Sequence, residues 1–184
     1  MALSATLHTY AITLSDIDRG VYAALSLKVA QHPAESMDYM LTRVLAYGME
    51  YTDDLAPHIA FGRSVGTEGG EEPAVWARDY AGELLLWVEV GLPSVDKLRK
   101  AVKAARRVAV YTHRDPGQLA RAFEAWDNPG ATPVPLVAFE RGFLAQMAER
   151  LDRRADFGLT VSDGHLYLDI AGQTLETQPR RLAL

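Results

Sequence analysis

Cysteine is missing from all 184 residues. That absence excludes disulfides, thiolate metal centres and thiol nucleophiles together, and it fits a reducing cytoplasm. The first ten residues lack a basic region followed by a long apolar run, so no secretory signal is legible, and no stretch approaches the length needed to span a membrane. No repeat, low-complexity tract or interdomain linker stands out, and there is no Gly-rich phosphate loop, zinc-ligand spacing or Ser-centred nucleophile elbow. Positive charge is in short supply: 19 Lys and Arg face 24 Asp and Glu, a formal charge of -5. That balance argues against general coating of polyanions and leaves room for a local basic face.

What is present suits one domain spanning residues 1–184, with about half the residues apolar and available for a core. Alternation predicts strands over 5–13 and 21–29, joined by a turn that ends at Gly20. His32-Pro33-Ala34-Glu35 has the form of a helix start, with His32 as cap, and Met37, Met40, Leu41, Val44 and Leu45 repeat at helical spacing up to about Gly48. Residues 51–72 read as an irregular, mobile loop. A short strand over 73–80 and a turn at Ala81-Gly82 lead into the apolar run Leu84–Val90, a central strand buried on both faces. Ser94 is a good cap for a following helix with Val95, Leu98, Val102 and Ala105 inward. Further expectations are a strand over 108–112, a helix over 116–126, a strand over 135–140, a helix over 143–151, and a hairpin at Asp163-Gly164. The whole predicts a mixed α/β sheet with three or four helices.

Two acids carry the chemistry. Glu89 interrupts the apolar strand, where a carboxylate is costly to bury unless paired, hydrogen-bonded or metal-bound. Asp79 closes the strand before it, and two hairpin-linked strands can bring the carboxylates side by side. Such a pair is a hard oxygen site suited to Mg²⁺ or Mn²⁺, able to activate water and stabilise a phosphoryl transition state. The plainer alternatives are a loop acid at Asp79 and a structural salt bridge at Glu89. Trp76 and Trp87 read as core.

The opening Met-Ala-Leu-Ser-Ala-Thr, Asp16-Ile17-Asp18-Arg19, His32-Pro33-Ala34-Glu35, Arg43 with Leu45-Ala46, Trp76, Asp79, the run Trp87–Pro93, and Arg99-Lys100-Ala101 together resemble the YaeQ family over nearly the full length. The resemblance implies a divergent PD-(D/E)xK, restriction-endonuclease-like mixed sheet flanked by helices, with extra β-hairpins at both ends. Its nuclease-like core would span roughly residues 33–140, in the order helix, three strands, helix, strand. It also implies that Glu35, Asp79 and Glu89 hold the metal, in a protein acting on nucleic acid. Glu35 reads equally as a helix-start acid, and Arg43 as the partner of some acid.

One departure matters. Glu89-Val90 is followed by Gly91 where such nucleases carry lysine. A displaced lysine would come from the next helix: the resemblance favours Lys100, while the helical wheel favours Lys97, which flanks the apolar face. Arg99, Lys100, Lys103, Arg106 and Arg107 read as one basic stripe on that helix, either a solvated face or a nucleic-acid contact. Two functions stay open: a metal-dependent nucleic-acid phosphodiesterase, and a fold relative without cleavage that binds nucleic acid or protein.

Overall fold

The computed structural model describes residues 4–62, 71–130 and 132–184. Instead of one mixed sheet it contains two. The first comes from the two ends of the chain: β1 (Thr6–Asp16), β2 (Val21–Gln31), β8 (Arg154–Ser162), β9 (His165–Ile170) and β10 (Gln173–Thr177), in the order β10-β9-β8-β1-β2. The second has the order β11-β7-β6-β5-β4-β3, from β3 (Ile59–Phe61), β4 (Val75–Arg78), β5 (Leu84–Val90), β6 (Ala105–Thr112), β7 (Pro135–Ala138) and β11 (Arg180–Ala183). Four helices complete it: α1 (Met37–Glu50), α2 (Val95–Ala104), α3 (Pro116–Ala122) and α4 (Arg141–Arg150).

Both expected hairpins form. β1 and β2 pair antiparallel from Thr6↔Gln31 to Asp16↔Val21, and the inward face of β1 is His8, Tyr10, Ile12 and Leu14. At the second, Asp163 and Gly164 both adopt positive φ, the conformation a two-residue turn needs to match the twist of its strands. β1 also runs parallel to β8, so the two hairpins become one sheet.

The helix of the central cluster is α1. Every residue from Tyr39 to Glu50 is buried, because its hydrophobic cluster takes in side chains of both sheets, among them Ile12, Leu27 and Leu159 on one side and Leu86, Val88 and Tyr111 on the other. A helix enclosed all round must satisfy its own polar groups. Thr42 donates to the Asp38 carbonyl at 2.6 Å, Arg43 binds Glu35, and Glu50 accepts from Arg107 and Tyr111. Its start differs from the expectation: Ser36 caps it by accepting from the Tyr39 N–H at 3.1 Å, while His32 to Glu35 form the preceding turn.

The second sheet positions the candidate site. β3, β4 and β5 are antiparallel neighbours, and β6 and β7 follow parallel to β5. From α1 to β6 the order is therefore helix, three strands, helix, strand, as expected over Glu35–Thr112. β5 buries both faces: Leu86, Val88 and Val90 meet the α1 cluster, while Leu84 and Trp87 join Leu98 of α2 and Leu119 of α3. β3 falls inside the stretch expected to be irregular. Gly62 follows it, where an added Cβ would lie 2.0 Å from the Pro73 carbonyl oxygen, so only glycine lets the two strands approach there. The rest of the expected mobile loop, residues 63–70, lies outside the described residues. β10 and β11 were not anticipated.

Candidate functional site at the carboxyl end of strand β5

The pleat of β5 puts Trp87 and Glu89 on the same face, two residues apart. That face is covered by α2, which Ser94 starts by accepting from the Lys97 N–H. Capping at Ser94 puts Lys97 in the first turn, directly above the carboxyl end of the strand. Lys97 Nζ lies 2.8 Å from Glu89 Oε2, and Trp87 Nε1 donates to Glu89 Oε1 at 2.6 Å. The Glu89 side chain is 3% exposed and that of Lys97 14%. Burial pushes the Glu89 carboxyl above its ordinary value, and the charge of Lys97 and the two hydrogen bonds only partly offset this. The result is a carboxylate locked in orientation, beside an ammonium that still reaches solvent.

Gly91 ends the strand just beyond Glu89. Its φ is +92° and its N–H donates to the Tyr111 carbonyl at 2.9 Å. The chain turns out of the sheet in a conformation that strains any L side chain, so the cation comes from the next helix. Of the two candidate lysines, Lys97 reaches Glu89, while Lys100 is 60% exposed and pairs with Glu71 at 2.7 Å.

The proposed carboxylate trio does not assemble. Asp79 lies beyond β4, in the turn to β5, where its Oδ1 accepts from the Glu83 N–H at 2.9 Å. The register pairs Val75 with Val88 and Arg78 with Leu84, so Asp79 stands at the opposite end of β5 from Glu89. Ten residues of separation bring side chains together only across a turn midway between them, and this turn sits next to Asp79. Glu35 is also elsewhere. It is on the α1 side of the sheet, ion-paired to Arg43 at 2.7 Å with both side chains essentially inaccessible, and its other oxygen accepts from the His32 N–H. It is therefore structural, as is Arg43, which also lies over the Phe61 ring. Among the described residues no group of three or more His, Cys, Asp or Glu could hold a metal ion.

The segment leading into β4, read from sequence as loop, meets the lysines of α2. Lys97 Nζ also contacts the Glu72 carbonyl at 3.4 Å, and Glu71 meets Lys100. The legible signal was the hairpin register itself: counting back from a turn at Ala81-Gly82 places Ala74, not Asp79, opposite Glu89. Mg²⁺ is ordinarily held by one or two carboxylates and completes its shell with water and substrate phosphate, and an ionised Glu89 keeps lone pairs beyond the two it uses.

The basic stripe is divided. Only Arg99, Lys100 and Lys103 lie on α2; Arg106 and Arg107 are successive residues of β6 and so face opposite sides of the sheet. Arg107 turns to the α1 side and binds Glu50. Arg99 pairs with Asp96 and Arg106 with Glu83, which leaves little uncompensated charge for a polyanion.

Fold and site together define an α/β protein of two sheets around a buried helix, with a carboxylate–lysine pair at the carboxyl end of a central strand of the second sheet. The chain belongs to the YaeQ family: the family model described as YaeQ protein matches residues 1–179. It is 30% identical to an uncharacterised YaeQ protein of Salmonella typhi, covering 97% of this chain and 96% of that one, and 29% identical to its Escherichia coli (strain K12) counterpart, covering 96% and 94%. It is similar to the crystal structure of YaeQ protein from Pseudomonas syringae, with a TM-score of 0.83 and 26% identity over 97% of this chain and 96% of that one. The YaeQ protein of Xanthomonas axonopodis pv. citri gives 0.82 and 25%, over 97% and 98%. No helix among the described residues is long and apolar enough to cross a membrane.

Proposed function

We propose that the chain is a Mg²⁺- or Mn²⁺-dependent phosphodiester hydrolase acting on nucleic acid, built on a divergent restriction-endonuclease-like core from α1 to β7. The observation that carries this reading is the buried contact between Glu89 and Lys97. It joins an acid from β5 to a lysine from α2, where such nucleases place both on one strand. Glu89 would hold the ion. The ion, when bound, supplies positive charge to the phosphoryl oxygens and makes a bound water more acidic. Trp87 fixes the rotamer of Glu89 through its N–H. Lys97 stands where it can position a water and balance charge at the scissile phosphate. The apolar wall of β5 excludes competing water. Asp79, Glu35 and Lys100 have no part in this centre.

The test is cleavage of single- and double-stranded DNA and RNA with Mg²⁺ or Mn²⁺ by wild type, Glu89→Gln and Lys97→Met. Activity in wild type alone supports the reading, as does a rise in melting temperature with Mn²⁺ that Glu89→Gln removes. Cleavage that survives both substitutions overturns it. A second reading, a binding module without cleavage, is favoured by one observation: both oxygens of Glu89 are already engaged by Lys97 and Trp87. It predicts no metal shift and no cleavage in a well-folded sample.

A further inference from the structure

Beyond β6 and β7 the chain leaves the sheet in opposite directions. β6 leads to α3, whose Leu119 packs with α2 on one face. β7 leads to α4, whose Leu144 and Met147 pack with α1 on the other. Where neighbouring parallel strands send their connections to opposite faces, a crevice opens at their carboxyl ends, and open α/β sheets bind ligands there. A cavity of about 750 Å³ occupies this position, lined by residues 113–116 of the first loop and 138–141 of the second. Its size lies within the range of small-molecule sites.

Three arginines converge on it in a chain of net negative charge: Arg114 from the loop after β6, Arg141 in the first turn of α4, and Arg180 at the start of β11. The last is held there by backbone pairing with Ala138. Of the two acids on the rim, Asp115 is committed, since its Oδ1 caps α3 by accepting from the Gly117 N–H at 2.9 Å. Leu92, Pro116 and Ala138 give an apolar wall, and Gln118 and Glu140 supply neutral and acidic hydrogen-bonding groups.

We propose that this crevice binds a phosphorylated small molecule of the nucleoside monophosphate class. The arginines take the phosphate, whose oxygens match the planar guanidinium fork. The apolar wall covers the flat, uncharged base. Gln118 and Glu140 meet hydroxyl or amine donors of the sugar and base. The proposal stands on the crevice and its arginines, independently of any cleavage at Glu89.

Calorimetric titration of the intact protein with AMP, CMP, adenosine and inorganic phosphate at low salt tests it. Both nucleotides should bind, with adenosine and phosphate each about tenfold weaker or worse. Combined Arg141→Ala and Arg180→Ala should weaken AMP by about tenfold or more while the melting temperature holds, because both side chains are exposed. If the alanine variant fails to fold, the corresponding lysine substitutions should still weaken AMP by removing the fork. No binding of either nucleotide overturns the proposal, as does unchanged affinity in the arginine variants. Phosphate binding as tightly as AMP overturns the nucleotide assignment.

Discussion

Glu35 and Glu89 are both buried carboxylates with a cation at nearly the same distance, 2.7 and 2.8 Å, yet their surroundings separate them. The partner of Glu35 is an arginine, charged at any accessible pH, fixed by a contact with the Ala30 carbonyl and by the Phe61 ring, and enclosed beside α1. The partner of Glu89 is a lysine on an amphipathic helix at the carboxyl end of β5, still partly open to solvent. Burial raises the proton affinity of Glu89. Distance alone therefore does not separate the two pairs; exposure and the chemistry of the cation do.

Breaking the first pair should have the largest effect. Arg43→Met leaves Glu35 buried with no cation beside it, and should destabilise the fold by about 3–5 kcal/mol in urea unfolding. Adding Glu35→Gln should recover part of that loss, because the unpaired carboxyl goes with it. Lys97→Met breaks the second pair and should cost about 3 kcal/mol, at the low end because the site is partly wet. A loss for Lys97→Met greater than for Arg43→Met would invert the comparison.

Glu89→Gln sharpens it through pH. The carboxyl is raised in the folded state, so the fold binds this proton more tightly than the unfolded chain does. Stability contributed by protonated Glu89 is lost as pH rises from the ordinary carboxylate value through the raised one. The melting temperature of Glu89→Gln relative to wild type should thus climb with pH across that window. A flat difference would show that Lys97 fully compensates the charge.

A smaller effect is expected at a third buried acid. Tyr111→Phe removes the 2.8 Å hydrogen bond to Glu50 and should destabilise by roughly 1–2 kcal/mol. The same contact and burial hold the Tyr111 hydroxyl well above its usual pKa, burial being the larger cause. That phenol should resist ionisation in an alkaline spectrophotometric titration until the protein unfolds. Smallest of all, Lys103→Ala on the exposed face of α2 should change stability by no more than about 0.5 kcal/mol.

Local patterns carried most of the elements. The apolar run of β5, the cap at Ser94 and the Asp163-Gly164 turn were legible because each is set by a few adjacent residues. The wheel of α2 leaned toward Lys97 over Lys100. What escaped was set by distant partners. β11 is a strand because it pairs with β7, and the two sheets separate because α1 lies between them, which no local periodicity encodes. The candidate site was half legible for the same reason. An acid in an apolar strand marks itself, as Glu89 did. Its neighbours depend on the hairpin register, and a bulge between Ala77 and Arg78 further displaces the turn that holds Asp79.

The parallel pairing of β1 with β8 has a consequence for synthesis. β1 is complete by residue 16, but its second neighbour begins at residue 154. As the chain leaves the ribosome, β1 and β2 can pair at once, and then one edge of β1 must wait through most of translation with its backbone groups unmatched. An open edge is a template for association with other chains, and a contact spanning so much sequence closes slowly. Asp18 accepts from the Asp163 and Gly164 N–H groups at 2.7 and 2.9 Å, fastening the two hairpin turns once the late strands arrive. A nascent chain stalled before β8 should therefore stay sensitive to protease and engage chaperones, and release of β8–β10 should be the step that confers resistance.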